Sequence, residues 1–304
     1  MATIPICLIT DKNYVMPTEV LIQSLLKNKE KNTQYRIIIL TDNIDQKSKD
    51  ELQSLQSNNF DIEVIEIINP YLKLKNINKY VTNSAFLKFD IPFILKDYEK
   101  VIYLDVDIIV QHDLSELYDT DLKNTYAGVV EDFTIIKFKK RNKELGLKHY
   151  FNSGVLLLNT KKIREEKLNE KMLEIYIQNG ENFYCHDQDV LNIAFNDNIT
   201  ILHPKFNWIV ANFDFPLISF EKFYKIKHAE YKTENLSVIH YVRMKPWIYS
   251  TVFYQKIWQK YYDMCDFKNT IKLKTCHFMN IYYFLRGHLM LKFVDKVIKK
   301  IIYW

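Results

Sequence analysis

Short apolar runs and amphipathic stretches take turns along the first two-thirds of the chain, and this alternation restricts its fold more than any other feature. IPICLIT reads as a strand and MPTEVLIQSLLKN as an amphipathic helix; YRIIILTD, SKDELQSLQSN and DIEVIEI continue as strand, helix and strand. SAFLKFDIPFIL reads as a helix feeding a fourth strand, VIYLDVDIIV. Further on, YAGVVED, GVLLLNT and LSVIHYV are strand-like. DQDVLNIAFN reads as a helix with acids in its first turn, where the helix dipole favours them. The βαβα order predicts an α/β fold with a mostly parallel central sheet and helices on its faces. Ligands of such sheets bind at the carboxyl edge of the strands, so the ITD of the first strand and the LDVD of the fourth are expected as neighbours. With no repeat and no low-complexity linker, one catalytic-size domain is expected over residues 1–265, and a helical extension over 266–304.

The fourth strand carries two residues that do not belong in a buried strand. Eight of the ten side chains of VIYLDVDIIV are apolar or aromatic, yet Asp105 and Asp107 interrupt them. Burying an ionised carboxylate without a partner costs several kcal/mol, comparable with the net stability of a domain. Residues i and i+2 of a strand share a face, so both carboxylates are expected to project together near the strand end. Two adjacent carboxylates repel unless a cation lies between them or one takes a proton. A hard divalent ion with open positions would satisfy both and grip a diphosphate as well. His240, in SVIHYVRMKPW, would complete an O,O,N set that suits Mn²⁺ better than Mg²⁺. Lys245 lies just beyond and would meet a phosphate as a point charge. Asn152, Ser153, Asp187, Gln188 and Asp189 stand at the edges of apolar runs. Such amides and carboxylates bind hydroxyl-rich ligands, but helix capping by Asp187 and a turn at Asn152–Gly154 explain them equally well.

Composition removes several alternatives. The chain has only 5 glycines, with neither a G-x-G-x-x-G nor a G-x-x-x-x-G-K-[ST] pattern, so dinucleotide and P-loop sites are not expected. Its 4 cysteines form no C-x-x-C pair and read as reduced thiols of a cytoplasmic protein. MATIPICLIT reads as a strand rather than a signal peptide, and no window approaches a membrane span. The net charge of +5 is uneven: residues 268–304 hold eight basic residues against Asp295, leaving residues 1–267 near neutral. That distribution does not suit a nucleic-acid binder.

The motifs together resemble glycosyltransferase family 8, the retaining sugar-nucleotide transferases that include bacterial lipopolysaccharide α-galactosyl- and α-glucosyltransferases. The resemblance runs in order through ITDKNY, SAFLKFDIPFIL, KVIYLDVDIIV, YFNSGVLLLN, DQDVLNIAF and HYVRMKPW, covering roughly residues 4–247. It implies a GT-A type, Rossmann-like sheet. It also implies that Asp105, Asp107 and His240 hold Mn²⁺, or Mg²⁺, against the donor diphosphate. Asp11 and Asn13 match positions contacting uridine, Asp132, Asn152, Asp187 and Gln188 match positions lining the donor sugar, and Lys245 matches a diphosphate contact. Two positions depart from the family pattern. Lys88 stands where the family has Arg, which keeps the charge and loses the bidentate fork. The segment YVRM between His240 and Lys245 is short and lacks the usual glycine, leaving Arg243 to supply charge.

The activity implied is transfer of galactose or glucose from UDP-galactose or UDP-glucose to a glycan or glycolipid acceptor, such as a lipopolysaccharide or lipooligosaccharide precursor. Gln188 occupies the position where a retaining glycosidase would carry a nucleophile, which favours front-face attack with Asp187 orienting the sugar. In the extension, Leu285, Leu289, Phe293, Val297 and Ile301 recur every fourth residue between lysines. This pattern suits an interfacial helix on an anionic leaflet, and so a cytoplasmic enzyme peripheral to the inner membrane face. Two other readings stay open: a haloacid-dehalogenase-like phosphatase using Asp105 and Asp107, although Ile109 stands where that motif has Thr or Val, and a non-catalytic glycan- or membrane-binding protein on the same fold.

Overall fold

The computed structural model describes residues 3–72, 83–210, 217–227, 230, 232–267 and 269–275. The strands, in chain order, are β1 (Thr3–Thr10), β2 (Gln34–Thr41), β3 (Phe60–Glu66), β4 (Val101–Leu104), β5 (Ile108–Val110), β6 (Ala127–Glu131), β7 (Phe151–Leu158), β8 (Ile199–Ile201), β9 (Trp208–Ile209) and β10 (Val238–His240). Seven of them form one sheet in the order β3-β2-β1-β4-β7-β6-β8. Four of its six pairings are parallel; β7, inserted between β4 and β6, runs antiparallel to both. The expected mostly parallel α/β sheet is therefore present. A second, three-stranded sheet follows the order β5-β10-β9.

Both faces of the large sheet are covered, and this is why its strands read as near-continuous apolar runs. Alternate residues part to opposite sides. Ile6, Leu8, Ile37, Ile39 and Leu157 join a cluster with Leu21, Ile22 and Leu25 of helix α1 (Val15–Asn28) and Leu52 of helix α2 (Gln46–Ser54). Cys7, Ile9, Ile38, Leu40 and Leu156 meet Met172, Tyr176, Val190 and Leu191 of the helices Leu168–Asn179 and His186–Phe195. A third cluster joins Ile109 and Ile239 of the small sheet to Trp208, Trp258 and Tyr262.

Three expectations need correction. VIYLDVDIIV is not one strand: β4 ends at Leu104, and the chain re-enters at Ile108 as β5 of the other sheet. Asp105 and Asp107 thus sit at a junction between sheets, not on a shared strand face. Backbone hydrogen bonds tie the break to both sheets: Asp105 N–H donates to the Gly154 carbonyl (2.8 Å) and Tyr241 N–H donates to the Asp107 carbonyl (2.9 Å). SAFLKFDIPFIL is likewise not one helix but a 3-10 stretch, Asn83–Phe89, and a single turn, Ile91–Ile94. Pro92 offers no N–H to continue the first into the second and restricts the residue before it. Asn152–Gly154 is no turn; it lies inside β7.

The amphipathic pattern of residues 285–301 lies outside the described residues. Among the described residues, no helix is long and apolar enough to cross a membrane.

Candidate active site

The junction after β4, the end of β10 and the middle of β7 converge on one point. Ligand atoms of Asp105, Asp107 and His240 all lie within 4.8 Å of one another. His240 Nε2 is 3.1 Å from Asp107 Oδ1 and 3.8 Å from Asp105 Oδ2. The direction of the hydrogen bonds behind the ring can be traced from the backbone. Gly154 N–H donates to Asn152 Oδ1 (3.0 Å), which also accepts from Asn207 Nδ2 (2.9 Å). Asn207 Oδ1 is left to face His240 Nδ1 at 2.9 Å, so Nδ1 carries a proton and Nε2 is the ring nitrogen turned to the carboxylates, where it would ligate a cation. Two carboxylates and an imidazole nitrogen so spaced fit one divalent cation with positions open to other ligands. Gly154 leaves the room: a Cβ there would lie 2.2 Å from His240 Cε1 and 2.7 Å from Asp105 Oδ2.

Two lysines compensate the acids. Lys245 Nζ donates to Asp107 Oδ2 and to the Tyr241 carbonyl (2.8 Å). Lys88, 5% exposed, sets its ammonium 3.1 Å from Asp105 Oδ1 and 2.8 Å from Asp187 Oδ2. Burial alone would raise the Asp107 carboxyl, but Lys245 and His240 outweigh it and hold that group well below the usual carboxylate range. Burial alone would lower the Lys88 ammonium; Asp105 and Asp187 reverse the sign and keep its proton on. Lys88 therefore works as a single buried point charge shared by two carboxylates. Tyr103 O–H donates to Asp105 Oδ1 at 2.5 Å, so this carboxylate has one oxygen fixed by Tyr103 and Lys88 and the other turned toward His240.

A buried polar chain continues from the cation position. Gln188 Oε1 accepts from Asn152 Nδ2 (3.0 Å) and Ser153 N–H (3.1 Å), while Gln188 Nε2 donates to Asp132 Oδ2 (3.3 Å). Asp132 also caps the helix Phe133–Lys139 by accepting from Ile135 N–H (3.1 Å). Asp187 Oδ2 accepts from Ser153 O–H (3.0 Å) as well as from Lys88. Asp189, beside them in sequence, is occupied elsewhere: Arg141 grips both its oxygens (3.1 and 2.8 Å) and Tyr150 O–H donates to Oδ1 (2.6 Å).

Ten of the positions singled out from the sequence are therefore joined by direct contacts: Lys88, Asp105, Asp107, Asp132, Asn152, Ser153, Asp187, Gln188, His240 and Lys245. Asp11 and Asn13 stand apart at the end of β1, where Asp11 Oδ1 accepts from Asn13 N–H (2.7 Å). Tyr14, the residue after Asn13, is where the two groups of acids are felt together: burial and then the charges of Asp107, Asp11 and Asp105 push its phenol up to about 12. Arg243 is exposed on the loop before Lys245. Asn207 and Tyr103 went unnoticed in the sequence, and Gly154 stood out only as the end of a possible turn. Asn207 had a usable signal: an amide between Phe206 and Trp208 in a folding core must be hydrogen-bonded, and here it is 1% exposed.

Comparison with known proteins fits this geometry. Glycosyltransferase GlyE of Streptococcus pneumoniae is 28% identical over 261 residues, 83% of this chain, which spans 59% of GlyE. A lipopolysaccharide 1,2-glucosyltransferase of Escherichia coli is 25% identical over 249 residues, covering 78% of this chain and 71% of that protein. The crystal structure of the galactosyltransferase LgtC with donor and acceptor sugar analogues superposes with a TM-score of 0.76 at 23% identity, covering 86% of this chain and 96% of that one. The shared architecture is the GT-A fold. The profile of glycosyl transferase family 8 matches residues 5–251, and the chain belongs to that family.

Proposed function

We propose that the protein is a retaining hexosyltransferase that moves glucose or galactose from a UDP-sugar to a hydroxyl of a glycan acceptor. A lipopolysaccharide-type precursor is the acceptor that the name of the E. coli relative suggests. The observation that carries the reading is the convergence of Asp105, Asp107 and Nε2 of His240 beside two buried or half-buried lysines. A binding module has no use for such a diphosphate clamp. The donor set of two oxygens and one nitrogen favours Mn²⁺ over Mg²⁺. When bound, the cation supplies positive charge against the charge that builds on the departing diphosphate.

The chain's own groups do the rest. Lys88 and Lys245 add fixed ammonium charges beside the leaving group's place, in a setting where burial makes them count for more than in water. Asp132, Asn152, Asp187 and Gln188 offer directed donors and acceptors to sugar hydroxyls. Gln188 is a poor nucleophile, and its Oε1 already accepts two hydrogen bonds. Asp189 is held by Arg141 and Tyr150, and Asp187 by Lys88 and Ser153. With Gln188 uncharged and Asp187 and Asp189 already held by partners, front-face substitution is favoured. The acceptor oxygen bonds to C1 as the C1–O bond to the diphosphate breaks, and the acceptor proton passes to the leaving phosphate oxygen.

Donor hydrolysis tests the reading. The full chain with Mn²⁺ should cleave UDP-glucose or UDP-galactose, and Asp107→Ala should lower the rate by about 100-fold or more. An unchanged rate in that variant, or a glycosyl ester trapped on Asp187 or Asp189, would contradict the assignment.

A further inference from the structure

The connection between the antiparallel neighbours β6 and β7 is far longer than it needs to be. Two to five residues close such a pair; here residues 132–150 intervene. Within 133–149 stand six basic residues and one acid, Glu144, a surplus equal to the +5 of the whole chain. Lys137, Lys139, Lys140, Lys143 and Lys148 are exposed. Among the described residues, the ion pairs of this segment belong to Arg141 and His149, and these five lysines have none.

The segment is fastened to the candidate donor-sugar pocket rather than left over the surface. Asp132, which touches Gln188, caps its first helix, and Asn152, which also touches Gln188, follows its end. In its middle, the buried Arg141 holds Asp189, the residue after Gln188. The Lys139 ammonium lies 4.8 Å from the ring of Tyr184, three residues before Asp187. Five exposed like charges on a segment fastened to the pocket in this way repel one another and raise the local concentration of anions around it. The donor's diphosphate does not account for it, because Lys88, Lys245 and the cation site already answer that charge.

We infer that the β6–β7 segment is the acceptor's dock, and that the acceptor is a glycan carrying phosphate groups. The inference rests on the transferase reading above and adds the chemical class of the second substrate.

Binding of a phosphorylated mannose pentasaccharide, and of the same pentasaccharide after dephosphorylation, measures this directly by calorimetry on the full chain. The wild type should bind the phosphorylated form about tenfold more tightly at low salt, and the gap should narrow as salt rises. Lys139→Gln/Lys140→Gln/Lys143→Gln should abolish the preference while leaving UDP-sugar hydrolysis and Tm unchanged. Equal affinity of the wild type for the two sugars, or a preference that survives in the variant, overturns the inference. So does a variant whose only loss is sedimentation with phosphatidylglycerol vesicles, which would assign the lysines to a lipid surface. Absence of UDP-sugar hydrolysis by the wild type would overturn the transferase reading instead, and the sugar-binding comparison still reads out separately.

Discussion

Asn207 decides which nitrogen of His240 faces the acids. Its carboxamide oxygen takes the Nδ1 proton only because its nitrogen is committed to Asn152, and Asn152 is oriented by a backbone N–H of β7. A backbone donor thus fixes a tautomer three groups away. Removing the relay with Asn207→Leu leaves His240 free to rotate or to protonate Nε2, and Mn²⁺ affinity should fall by about 10–100-fold. Asn207→Asp keeps an acceptor for Nδ1 and should retain most of that affinity. Titration of free Mn²⁺ by electron paramagnetic resonance reads both variants without donor or acceptor. Equal affinities of wild type and Asn207→Leu would show that the imidazole is held by other means.

At the scale of elements, the same site depends on a clamp between the β6–β7 connection and the helix His186–Phe195. Asp189 is 0% exposed and accepts from Arg141, Tyr150 and the Cys185 backbone, so its charge is matched only while Arg141 is in place. Asp189→Ala removes the buried partner of Arg141 and leaves it the more exposed Glu144, and should cost about 3 kcal/mol. Hydrogen exchange should show protection lost first in residues 133–149, with β1, β2 and β4 still protected; uniform loss would mean the clamp is not local. Nothing in DQDVLNIAF distinguished this aspartate from Asp187. The two are separated by their partners, Arg141 and Lys88, which lie 48 and 99 residues away in sequence. By contrast, β1, β2 and β3 were plain in the sequence, because β1 and the second half of β2 are continuous apolar runs and β3 alternates apolar residues with Asp61 and Glu63. The motif residues were legible for a similar reason: a carboxylate or imidazole within an apolar run demands an explanation. The break at Asp105–Asp107 was hidden, since an apolar decapeptide looks alike whether it serves one sheet or two.

Over the whole molecule, Glu19 ties the first helix to the last described turn. Pointing from α1, it is buried, and its Oε1 accepts from the Asp266 N–H at 3.1 Å. Burial raises its pKa above the ordinary glutamate value; the Asp266 N–H opposes this, the Asp266 and Glu51 charges reinforce it, and Cys265 opposes it. In the unfolded chain the group titrates near its ordinary value of about 4.3. Between that value and the raised one, the folded state binds more protons than the unfolded state, so stability falls as pH rises through the window. The stabilising contribution of neutral Glu19 is thus complete below about pH 4.3 and lost above the folded pKa. Glu19→Gln keeps an oxygen acceptor for Asp266 and carries no charge at any pH. At pH 8 the variant should melt above the wild type, by about 2–4 °C for each kcal/mol recovered. The gap should close as pH falls toward 4.3, where both side chains are neutral. Thermal unfolding across that range provides the measurement, and a difference independent of pH, or a variant less stable at pH 8, would show that the Glu19 carboxylate is neutralised in place rather than strained by burial.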